Sequence, residues 1–120
     1  MILAVQGSRS FDRYEIFLNG MYRALTNMDK KDSEILIYSA GPSKVNSMVM
    51  EFANVSERGL KGRGIKIKVR KVPLSWLEDN VVEIDYLLYC SKPKEPESRL
   101  VKLAKQKMYR WGFADTNAKQ

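Results

Sequence analysis

Short apolar runs that each end in a small or polar loop, separated by segments of helical period, constrain this chain more than any other feature. Met1 to Val5 is apolar and uncharged and reads as a buried strand. Tyr14, Phe17, Leu18, Met21, Leu25 and Met28 then recur at helical spacing. They predict a helix over about residues 12 to 28, with Asp12 and Glu15 as a capping pair. Glu34 to Tyr38 reads as a second strand, broken by Ser39-Ala-Gly-Pro42, with Pro42 at a first helical position. Val45, Met48, Val49, Phe52 and Val55 predict a second helix ending near Gly59. Pro73 to Leu77 reads as an irregular or briefly helical link, and Asp85 to Cys90 as another buried strand. Leu100, Leu103, Ala104 and Met108 mark a last helix, and Tyr109 to Phe113 reads as a short fifth strand or a docked tail. This alternation predicts an α/β fold, an open, mostly parallel sheet of four to five strands with helices on both faces.

The stretch Ile65-Lys-Ile-Lys-Val-Arg-Lys-Val72 alternates apolar with basic residues, as a strand wetted on one face does. Lysines on such a strand guard a sheet edge against pairing with another chain, which makes this strand an expected edge. The competing reading is a nucleic-acid-binding face, because residues 58–71 hold seven basic residues and no acidic one. Lys plus Arg exceed Asp plus Glu by 21 to 14, a net charge of +7 that favours anionic partners.

A length of 120 residues predicts one domain, placed at residues 1–113, with a frayed tail at 114–120. No stretch resembles a signal peptide or approaches the roughly 20 apolar residues of a membrane span, so a soluble, cytoplasmic protein without a membrane partner is expected. Cys90 is the one cysteine and histidine is absent, which excludes an internal disulfide, a Ser-His-Asp triad and imidazole-based metal sites. No metal and no required cofactor is expected.

Three strand ends carry chemistry: Gly7-Ser8-Arg9-Ser10, Ser39-Ala-Gly41-Pro-Ser43-Lys44, and Ser91-Lys-Pro-Lys. In a parallel sheet all three lie on one side, where open α/β sheets bind ligands near the point at which strand order reverses. With the first strand central, the first two loops are expected to flank that crevice. Gly7 would let the chain turn sharply and leave main-chain amides bare, and Gly41 would permit a similar close approach. Ser8, Ser10, Ser39 and Ser43 would supply hydroxyls, and Arg9 and Lys44 positive charge. The set describes a phosphate-bearing ligand better than an apolar one; the alternative is that the serines serve as turn formers and caps.

Gly-Ser-Arg-Ser-Phe after one strand and Ser-Ala-Gly-Pro-Ser-Lys-Val-Asn after the next resemble the SLOG superfamily, the Rossmann-like group that includes DprA-like and LOG-type proteins. The likeness is nearest to its small YspA-like members and spans residues 1 to about 59. It implies that Gly7, Ser8 and Arg9 form a first phosphate-side loop and that Ser39 and Gly41 belong to a second. Asn46 stands where the family pattern has Asp, keeping a hydrogen-bonding group without the charge. The glycine-rich loop and glutamate of LOG-type enzymes have no counterpart in residues 91–98, where Glu95 and Glu97 read as solvent-exposed or first-turn charges. No catalytic residue is therefore assigned.

The resemblance implies binding of a nucleotide or nucleotide-derived ligand without turnover, and a chain of this kind fits a phage or other mobile element. The alternatives are single-stranded DNA binding of DprA-like type and, last, LOG-type nucleoside-monophosphate hydrolysis by Glu95 or Glu97. The DNA reading would draw on Lys102, Lys105, Lys107 and Arg110, with Tyr109 or Trp111 for stacking. Six methionines, two tryptophans and six tyrosines exceed what a small core buries. A homodimer or higher oligomer is expected, through the first and last helices beside Tyr22 and Trp111.

Overall fold

The computed structural model describes residues 1–40, 44–91 and 99–107 and the backbone of 111–115. The element order is β1 (Ile2–Gly7), α1 (Tyr14–Leu25), β2 (Glu34–Ala40), α2 (Val45–Gly62), β3 (Lys66–Val72), α3 (Leu74–Asp79), a 3-10 turn (Val81–Glu83), β4 (Tyr86–Ser91), α4 (Arg99–Lys107) and β5 (Trp111–Asp115). The strands form one five-stranded sheet in the order β3-β2-β1-β4-β5, with every neighbouring pair parallel. This is the expected α/β architecture, a Rossmann-like open sheet. β1 is central and the alternating basic strand β3 is an edge.

Because side chains alternate across a strand, each strand contributes to two cores. Leu3 and Val5 of β1, Ile35 and Ile37 of β2, and Leu88 and Cys90 of β4 pack under Phe17, Met21 and Ala24 of α1 and Val49 and Phe52 of α2. Phe17 meets Phe52 edge to face, ring centroids 6.4 Å apart, an arrangement worth about 0.5–1.5 kcal/mol beyond the area it buries. On the opposite face Ala4, Ala40 and Leu87 pack under Leu77 of α3, Val81 of the 3-10 turn, and Leu100 and Ala104 of α4. Helices therefore cover both faces.

The helix starts differ from their sequence expectations. Phe11 is fully buried and its N–H donates to the Ser8 carbonyl at 3.2 Å, so residues 8 to 13 are used on a turn and an extended step. The helix then begins at Tyr14, with Arg13 as N-cap in extended backbone. Asp12 and Glu15 do not form the expected capping pair; Glu15 lies 3.7 Å from Arg13 instead. α2 begins at Val45, and Pro42 falls outside the described residues.

α2 also runs three residues beyond its expected end, to Gly62, and closes at Gly64 with φ 75°. There Gly64 N–H donates to the Lys61 carbonyl and Ile65 N–H to the Leu60 carbonyl, at 3.0 and 2.9 Å. That is a Schellman cap, and Leu60 and Ile65 pack together against the first core. Trp111 lies on β5, paired with Leu87, rather than on the last helix. β5 extends to Asp115, two residues past the expected end of the domain at residue 113.

Candidate functional site

The chain leaves β1 through α1 toward β2 and β3, then returns beneath the second face to place β4 on the other side of β1. Strand order thus reverses between β1 and β4, and the crevice of an open sheet opens there at the carboxyl ends. It is flanked by the segment after β1 and by Ser91 at the end of β4. The carboxyl end of β2 is one strand removed, which corrects the expectation that the ends of the first two strands flank it. The reason is the crossing from β3 to β4.

Gly7 is the last residue of β1, in register with Cys90, and it does not make the turn. The turn lies at residues 8 to 11, closed by the Phe11-to-Ser8 bond. Ser8 N–H donates to the Cys90 carbonyl at 2.9 Å, extending the β1–β4 ladder by one step. That amide is therefore occupied rather than bare. The Ser8 and Ser10 hydroxyls are 3.3 Å apart, and the Arg9 side chain between them is exposed. Loop 8–10 thus presents two adjoining hydroxyls and a guanidinium beside the crevice.

The second expected loop divides. Ser39 is buried at 2 % exposure and donates its hydroxyl to Asn46 Oδ1, fastening the end of β2 to the first turn of α2. Both side chains thus serve a structural clip. Lys44 is exposed at the N-cap of α2, and Gly41 and Ser43 lie outside the described residues. Residues 92–98, with Glu95 and Glu97, lie outside them too.

The sequence reading overlooked Gln6. The buried polar side chains of the described residues are Gln6, Ser39 and Ser91, at 7 %, 2 % and 8 % exposure. All three lie in the last two residues of their strands, at the carboxyl edge of β1, β2 and β4. Gln6 and Ser91 share the second face, and Gln6 is in register with Tyr89. A glutamine closing an otherwise apolar strand run was the available signal. Buried polar groups are costly unless partnered, so Gln6 and Ser91 on the two strands of the switch point mark it as the polar end of the core.

Cys90 is fully buried beside Gly7, and burial pushes its thiol well above the usual range, which keeps it neutral and unreactive. Tyr14, at the start of α1, is also raised, by burial first and then by Glu51 and Tyr22. Among the described residues no group of three or more His, Cys, Asp or Glu comes together, and no helix is long and apolar enough to cross a membrane.

A depression of about 240 Å³ lies at the opposite, amino-terminal end of the sheet, floored by Leu25, Ile35, Leu60 and Ile65. Its carboxylates hold the α1–β2 turn: Asp29 accepts from Lys31 N–H and Asp32 from Asp29 N–H, each at 2.9 Å. No protein-family model, curated protein or solved structure matches this chain.

Proposed function

We propose that the protein binds a nucleotide or nucleotide-derived phosphate ligand at the switch point between β1 and β4, without turning it over. The observation that carries this reading is the placement of Gln6 and Ser91, buried polar side chains that share the second face, at the carboxyl ends of β1 and β4. Ser8, Ser10 and Arg9 stand at the mouth of that edge. A guanidinium with neighbouring hydroxyls suits phosphate oxygens, and Gln6 with Ser91 suits the polar edge of a base. The likeness of Gly-Ser-Arg-Ser-Phe to the SLOG superfamily supports the same ligand class.

Calorimetric titration with nucleoside mono-, di- and triphosphates, with mass spectrometry of any small molecule released on denaturation, tests the reading. Arg9→Ala should weaken binding about tenfold or more, as loss of a charge-assisted hydrogen bond does. Its unliganded unfolding free energy should stay within about 0.5 kcal/mol of the parent, because Arg9 is a surface side chain. A protein that releases no nucleotide and binds none at millimolar concentration overturns the proposal. So does an Arg9→Ala variant that is destabilised while its binding is intact.

A further inference from the structure

Away from the crevice, the described residues leave the second face of the sheet open over β2 and β3. Lys66, Lys68 and Arg70 follow one another along that face of β3, all exposed, while Ile67 and Val69 between them turn toward α2. On a strand these alternate positions are about 6.6 Å apart, of the order of the separation between successive phosphates on an extended nucleic-acid strand. Arg70 is in register with Tyr38 of β2, and the Tyr38 ring lies 4.7 Å from the Trp76 ring of α3, tilted by 46°. Both rings are only half-buried. A row of cations and an aromatic pair therefore share one open surface, two strands from the crevice.

We propose that this surface binds single-stranded nucleic acid, with bases stacked on Tyr38 and Trp76 and backbone phosphates held by Lys66, Lys68 and Arg70. Charge complementarity selects the occupant, since Lys66, Lys68 and Arg70 follow one another along this face of β3 with no acidic residue in the strand. Two carboxylates border the row: Glu57 of α2 lines a depression with Lys66 and Lys68, and Glu34 lies 3.9 Å from Lys68, both side chains of that pair about half exposed. An exposed pair of this kind is weak and yields readily to a phosphate. Lysines that only guarded an edge would need no aromatic neighbours. Base-stacking platforms beside positive grooves are how single strands are held without sequence preference.

The test is fluorescence anisotropy with a labelled twenty-nucleotide oligothymidylate, read from 50 to 300 mM salt. Three phosphate contacts predict a log–log salt slope of about −2. The double variant Lys68→Gln with Arg70→Gln, both at exposed positions, should cut affinity at least about tenfold and flatten the slope by about 1.4. Glu34→Gln should tighten binding. An abasic oligomer of equal charge should bind at least about tenfold more weakly to the unaltered protein, which tests stacking without a fold-sensitive substitution. Equal affinity for the abasic strand, or a double variant that binds like the parent, overturns the proposal. Loss of oligonucleotide binding in Arg9→Ala alone also overturns it, by moving the strand to the crevice.

Discussion

On one face of the sheet, helices of 12 and 18 residues bury Phe17, Met21, Val49 and Phe52. On the other, helices of 6 and 9 residues bury Leu77, Leu100 and Ala104 and leave Leu36, Tyr38 and Trp76 half-buried. The difference comes from what each crossover must span. From β1 to β2, and again from β2 to β3, the chain steps to an adjacent strand and can wind a long helix above it. From β3 to β4 it must pass β2 and β1, about 14 Å at the usual strand spacing, within residues 73–85. It does so with a short helix and a 3-10 turn, and the second face stays partly uncovered. Stability is thus concentrated on the α1/α2 face and open surface on the other.

That contrast can be broken by truncating one large side chain on each face. Phe17→Ala should cost about 3–5 kcal/mol in denaturant unfolding, because it empties the ring from a fully buried site and removes its contact with Phe52. Leu77→Ala, equally buried beneath the shorter cover, should cost about 2–3 kcal/mol. A Leu77→Ala cost equal to or above that of Phe17→Ala would show the second face to be as tightly closed as the first.

The next effect sharpens how the closed face is held. Gly64 joins α2 to β3 at φ 75°, a region that costs residues with a Cβ about 1–2 kcal/mol, and a β-branched residue the most. No heavy atom lies within 4 Å of an added Cβ, so backbone strain is the whole penalty. Gly64→Val should lower stability by about 2 kcal/mol by calorimetry, and Gly64→Asn by clearly less. Equal losses would point to a steric cause instead.

The smallest effect is one of pH. Cys90 has its thiol raised by burial on the closed face, so the folded state keeps the proton that the unfolded chain releases above about pH 8.5. Its contribution is complete below that pH and is lost as pH rises toward the folded value; one pH unit above 8.5 the loss is about 1.4 kcal/mol. Cys90→Ser should lack this component when stability is compared at pH 7.5 and 9.5. An unchanged alkaline slope in the variant would assign it to other groups.

The strands were legible because each is a short apolar or alternating run, and the edge position of β3 because lysine every second residue leaves only one face to bury. The pairing of β1 with β4 was not, since nothing in Met1 to Gly7 or Tyr86 to Ser91 encodes which of two neighbours each takes. With that pairing went the location of the crevice. The start of α1 was misread for a local reason: Asp12 and Glu15 have capping spacing, but burial of Phe11 fixes the chain first. At the candidate site, residue type singled out loop 8–10 as an expectation, while only the fold could show that Ser39 and Asn46 engage each other and that Gln6 lies among the buried polar groups.

The central position of β1 has a consequence during synthesis. Ile2 N–H donates to Asp85 Oδ2 and the Ile2 carbonyl accepts from Asp85 N–H, so β1 is completed by residues 83 positions later. At roughly 5–20 residues per second, the β4-facing edge of β1 waits on the order of 10 s for its partner to be made. For that interval the β4-facing edge of an apolar strand stands unpaired, and holding chaperones would have access to it there.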